Sequence, residues 1–177
     1  MECPARIRAI FAELGISTDL IQARRLPLCA EAEALEIAEI GEDRREYRLT
    51  PEAAAAWRKM KAAAAAEGIV LRLISAFRSI ERQVEILREK LAEGEMVDEI
   101  LAASAPPGYS EHHTGRAIDI DTEGATPLEI EFERTPAFAW LRRNAGRYGF
   151  VLSFPEGNRY GYQYEPWHWF YTGEAGG

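Results

Sequence analysis

The sequence predicts an α+β fold: a small, mainly antiparallel sheet with helices on one side and around its ends, in a single domain. Three observations lead there. Segments with helical apolar spacing or helix-favouring composition (Arg6–Leu14, Thr50–Ala66, Ile80–Glu93) are interspersed with short strand-like stretches (Ile69–Ile74, Arg116–Asp121, Gly149–Ser153). Glycine or proline marks most of the junctions. At 177 residues, 47% hydrophobic and 28% charged, the chain has the size and composition of one water-soluble globular domain with a real core.

Taken in order, Arg6–Leu14 carries apolar residues at 7, 10, 11 and 14, and Gly15 stops that helix. A short helix follows from Thr18, with Leu20 and Ile21 inward. Leu26–Ile40 is rich in alanine and glutamate and reads as neither helix nor strand, whereas Arg45–Leu49 reads as a short edge strand. Residues 1–49 hold no chemical motif and are assigned as a mainly helical covering segment of the same domain, ahead of a core spanning 50–177. Thr50-Pro51-Glu52 starts the next helix: a capping hydroxyl, proline at the first helical position, then an acid at the positive dipole end. The alanine-rich run ends at Gly68, and Ile69–Ile74 forms a buried strand that delivers Ser75–Ser79.

Ser79 caps a helix from Ile80 to about Glu93, with Val84, Leu87 and Leu91 inward and Gln83 on it. A short helix at Val97–Ala103 leads into Ala105-Pro106-Pro107-Gly108, a rigid approach to the next motif. After Asp121, Thr122–Arg134 is polar and irregular, a rim loop. Thr135-Pro136 opens another capped helix, Gly149–Ser153 is a strand, Gly157–Gly161 turns back, and Tyr162–Tyr171 closes the sheet.

The chemistry gathers in Ser110–Asp121 (SEHHTGRAIDID) and Glu165-Pro166-Trp167-His168. All three histidines of the chain lie in these two stretches. As a strand, Arg116–Asp121 puts Ala117, Asp119 and Asp121 on one face, and Gly115 before it permits a tight turn. His112, Asp119 and His168 are then candidate ligands for a borderline-soft ion such as zinc, with Asp121 the runner-up carboxylate. Ser110 would share a strand face with His112 and orient it, and His113 would face away as a neutral loop histidine. The plainer alternative, loop histidines and solvated carboxylates, stands beside this one. Glu165 and His168, three apart, would diverge on a flat strand, so a bend or bulge at Pro166 is required if both serve one site.

Ser110-x-His112-x-x-Gly115-x-Ala117-x-Asp119, followed by Glu165-x-Trp167-His168, resembles the signature of the LAS zinc metallopeptidases. The similarity is nearest to the D-alanyl-D-alanine carboxypeptidase (VanY-like) branch. Ser75-Ala76-Phe77-Arg78-Ser79…Gln83 and Tyr148–Pro155 fit the same pattern, so the likeness spans roughly the last two-thirds of the chain. The resemblance implies the LAS/hedgehog-like fold, Zn2+ held by His112, Asp119 and His168, and Glu165 as catalytic base. It further implies Arg78 at the substrate carboxylate or developing oxyanion, and Gln83 in contact with substrate; Ser110 is expected as a further substrate-binding residue. The implied reaction is removal of the terminal D-Ala from peptidoglycan stem peptides. An L,D-carboxypeptidase, an endolysin-like endopeptidase and a non-catalytic zinc-containing binding domain are the competing readings. This chain departs from the family pattern at Phe170, where an arginine is usual, and in a short turn before Tyr162.

The net charge of −8 argues against a nucleic-acid partner, which needs a basic surface. No apolar run approaches the ~20 residues that span a bilayer. Arg6, Arg8 and Glu13 interrupt any leader-like apolar stretch, so the chain as written is expected in the cytoplasm, or facing periplasm or wall if a leader has been removed. Cys3 and Cys29 are read as free thiols.

Overall fold

The computed structural model describes residues 3–173. Helices α1 (Ala5–Leu14) and α2 (Thr18–Arg24) come first, followed by the antiparallel hairpin β1 (Glu36–Ile40) and β2 (Glu46–Leu49). Helix α3 (Pro51–Ala66), strand β3 (Arg72–Ser75) and helices α4 (Ile80–Ala92) and α5 (Val97–Ala103) lead to β4 (Ala117–Asp121). The last elements are α6 (Pro136–Asn144), β5 (Phe150–Leu152) and β6 (His168–Tyr171). The main sheet has the order β3-β4-β6-β5, antiparallel throughout. This is the α+β class that the sequence predicts.

Local chemistry explains most boundaries. Thr50 caps α3 through its hydroxyl to the Ala53 N–H, and Ser79 caps α4 through the Arg82 N–H at 3.1 Å. At the far end of α3 the Gly68 N–H bonds Ala65 O and the Ile69 N–H bonds Ala64 O, with Gly68 at φ +75°. That is a Schellman termination, and it draws Ile69 into the helix end. Strand β3 consequently begins at Arg72, three residues later than expected. The unassigned stretch before residue 40 supplies β1, so the first 49 residues contain a hairpin as well as helices.

Two cores result. In one, Trp57 and Met60 of α3 and Trp140 and Leu141 of α6 pack on Leu73, Ile118, Phe150 and Trp169 of the sheet. In the other, Ile7 and Phe11 of α1 and Ile21 of α2 pack on α4 and α5. Glu39 joins the hairpin to the first core: its carboxylate accepts from Trp57 Nε1 (2.9 Å) and the Leu73 N–H (3.2 Å) and pairs with Lys61. No helix among the described residues is long and apolar enough to cross a membrane.

Candidate active site

Residues Ser110–Thr114 do not continue a strand. Glu111–Thr114 forms one turn of 3-10 helix, closed by the His113 N–H to Ser110 O and the Gly115 N–H to His112 O. Gly115 stands at φ +64°, a left-handed conformation that side chains rarely adopt, and a Cβ there would meet Leu35 Cδ2 at 2.8 Å, so glycine suits this junction between the turn and β4. The turn aims Glu111 and His112 at the sheet. Asp119 of β4 lies directly opposite His168 of β6 in the strand register.

His112, Asp119 and His168 therefore converge. One donor atom of each lies within 4.8 Å of the others, and all three residues are buried. His112 Nδ1 donates to Ala76 O at 2.7 Å, which leaves Nε2 facing Asp119 Oδ2 at 3.2 Å. His168 Nδ1 lies 2.9 Å from Asp119 Oδ1, and its Nε2 lies 3.0 Å from Glu111 Oε2. Each imidazole is thus held through one nitrogen by an oxygen outside the cluster, the arrangement that orients metal-binding histidines. Two nitrogens, one carboxylate and room for a fourth position suit a zinc ion. Burial alone would raise the Asp119 carboxyl, but His112 and His168 hold it well below the usual carboxylate range. Burial alone would lower His168, but Asp119 and Glu111 overcome that and raise it to about 10, so a metal must displace a proton there.

Glu165 reaches the same place by a turn rather than a bulge. The His168 N–H bonds Glu165 O at 3.1 Å, and the Glu165 N–H bonds Phe154 O. Its Oε2 stands 3.8 Å from His168 Nδ1, and burial pushes the carboxyl up to about 7. Arg78 lines the same cleft, of about 470 Å³, together with Ser110, Phe154, Tyr162 and Trp167. Its backbone is clamped on both sides: its N–H donates to His112 O, and its carbonyl accepts from His113 Nδ1 at 2.6 Å. Burial lowers the Arg78 guanidinium from its ordinary value.

The other expected residues have different surroundings. His113 faces away from the cluster and is fully buried. Its Nε2 accepts the Gly108 N–H, and burial pushes it down to about 4, so it is neutral. The His112 ring is oriented by Ala76 O rather than by Ser110. Gln83 is 1% exposed and lies outside the cleft lining, its amide donating to Ala105 O at 2.8 Å beneath a residue that does line it. Asp121 is turned to Arg72 in an ion pair at 2.7 Å. Phe170 lies on β6 beneath the Arg116 guanidinium, 5.0 Å from its ring, and is not part of the cleft lining. Sequence reasoning missed Glu111, whose signal was its place immediately before His112, and Phe154, which stacks on His168 at 4.6 Å.

A family model described as VanY, D-alanyl-D-alanine carboxypeptidase, matches residues 46–174. The chain belongs to this family. One relative, YodJ of Bacillus subtilis strain 168, is 38% identical over 127 residues, covering 70% of this chain and 46% of that protein. The chain spans less than half of YodJ and of two enterococcal D-alanyl-D-alanine carboxypeptidases. Among solved structures, the LD-carboxypeptidase LdcB superposes with TM-score 0.66 at 33% identity, over 82% of this chain and 67% of that one. VanYB in complex with D-alanine-D-alanine gives 0.63 at 30% identity, over 85% and 81%. The VanY D,D-pentapeptidase in complex with Zn(II) gives 0.61 at 29% identity, over 78% and 79%.

Proposed function

We propose that this chain is a zinc-dependent carboxypeptidase that releases the terminal D-Ala from peptidoglycan stem peptides ending in D-Ala-D-Ala. The observation that carries the reading is the convergence of His112, Asp119 and His168 with the Glu165 carboxylate beside them, at the floor of a cleft that Arg78 lines. Family membership and the relatives solved with Zn(II) and with D-Ala-D-Ala support it. His112, Asp119 and His168 would hold the zinc, which supplies Lewis acidity to polarise the scissile carbonyl and to make water a nucleophile near neutral pH.

The chain's own groups do the rest. Glu165 accepts a proton as water adds to the carbonyl carbon and returns it to the amine nitrogen as the C–N bond breaks. A carboxyl near 7 suits both directions of that transfer. Arg78 places a planar cation where either the terminal carboxylate or the developing oxyanion can be bound through paired N–H donors. Ser110 offers a hydroxyl on the same wall.

A second reading has its own support: LdcB, an LD-carboxypeptidase, is as similar in fold as the D,D-enzymes. Digestion of purified stem peptides tests both. A pentapeptide ending in D-Ala-D-Ala should lose one D-Ala by mass, and the resulting tetrapeptide should then stay intact. Cleavage of the tetrapeptide with an intact pentapeptide would overturn the D,D-reading in favour of the L,D-one.

A further inference from the structure

Helix α2 ends at Arg24, in the part of the chain that precedes the family match and whose sequence suggested only a cover for the core. Its guanidinium joins two elements. Nε donates to Tyr160 O at 2.5 Å and Nη1 to Leu101 O at 2.7 Å. Leu101 lies in the last turn of α5, where carbonyls lack helical donors and carry the negative end of the helix dipole, so a cation is favoured there. The next such carbonyl, Ala102 O, accepts the Gln163 N–H at 3.3 Å. The end of α5 is therefore closed by Arg24 and by the loop 155–163.

That loop is organised internally around Asn158. Its amide donates to Pro155 O and Tyr162 O, and its Oδ1 accepts the Tyr160 and Tyr162 N–H groups. It behaves as a preformed piece whose attachment to the body decides where it stands. The Arg24 guanidinium also lies 4.3 Å from the centre of the Tyr162 ring, a cation–π contact on a residue of the cleft wall. Tyr162 packs at 4.8 Å against Phe154, which stacks in turn on His168.

We propose that Arg24 is a positioning residue for the substrate cleft. By bridging α5 and the 155–163 loop it fixes Tyr162 as one wall, which makes the N-terminal segment part of the working site. Its functional consequence rests on the cleft being the substrate site proposed above; the clamp itself does not. Lysine cannot replace it, because a single ammonium on a flexible stem cannot hold both carbonyls and the ring face at once.

The test compares the full chain with Arg24→Ala and Arg24→Lys. Trypsin can cut after Arg159, which is exposed in the loop, and mass spectrometry locates the cut. Release of the loop should speed that cut about 10-fold in both variants, while other sites change little. In zinc-loaded enzyme, KM should rise by roughly 5-fold or more with kcat within about 2-fold, because a binding wall and not the reacting groups has moved. General loss of stability would speed all tryptic sites alike and would count against the clamp. Should Arg24→Ala fail to fold, Arg24→Lys decides alone. Folded variants whose Arg159 cut and KM match the wild type overturn the proposal. A selectively released loop in a chain that never cleaves stem peptides would leave the clamp standing and remove the proposed function instead.

Discussion

Each histidine of the cluster turns one nitrogen inward because an oxygen holds the other, and those outer partners should matter nearly as much as the ligands. Glu111 holds His168 at Nε2. Glu111→Ala should therefore weaken zinc binding about 10–100-fold in a competitive chelator titration, with the fold retained. Unchanged affinity would mean that Asp119 and the Phe154 stack orient His168 without it. The two carboxylates of β4 separate cleanly. Asp119→Ala should empty the site, whereas Asp121→Ala should keep the zinc and cost about 1–2 kcal/mol in urea unfolding, the loss of an ion pair whose arginine is partly solvated. The reverse ranking of zinc contents would show that the wrong carboxylate is assigned. His112, Asp119 and His168 were legible as candidate ligands from residue type and spacing, whereas Glu165 was legible only through the resemblance to the LAS pattern, since strand spacing pointed it away from His168. Glu111 was not, since treating Ser110–Thr114 as extended points it away from His112; the 3-10 turn reverses that.

Elements were legible where local chemistry fixes them and obscure where a distant partner does. The caps at Thr50 and Ser79 and the stops at Gly15 and Gly68 follow from residue type alone. Strand β1 (EIAEI) does not, because glutamate and alanine favour helix; pairing with β2 and the contacts of Glu39 with α3 and β3 impose it. Gly115 is the junction on which the site depends, a tight turn expected from sequence whose strictness only the packing reveals. A Cβ there would also meet Ala32 Cβ at 3.1 Å in a left-handed backbone conformation. Gly115→Ala should lower stability by about 2 kcal/mol or more in urea unfolding, because strain and overlap add. A midpoint equal to that of the wild type would mean the turn can relax, and that His112 does not need this geometry.

At the scale of the whole molecule, the cleft draws on both cores: α4 and the end of α5 line one side, and β4 and the start of β6 line the floor. The N-terminal segment closes over this junction. Cys29 sits in it, buried, with its N–H on Gly108 O, and burial pushes its thiol up to about 12. Iodoacetamide at pH 8 should accordingly leave Cys29 unmodified in the native protein and label it once denatured; native labelling would mean that the segment opens readily. The departures at Phe170 and before Tyr162 could be seen in the sequence, but not what they touch, since Arg116 and Arg24 reach them from far along the chain. The central claim is that one zinc and the Glu165 carboxylate together cleave a terminal D-Ala. It is tested most directly by measuring zinc per chain and D-Ala release for the wild type and Glu165→Gln in parallel. The wild type should hold about one zinc and release D-Ala, and the variant should hold the same zinc while turnover falls at least ~100-fold. A variant that keeps both its zinc and its turnover, or loses both together, would contradict the account.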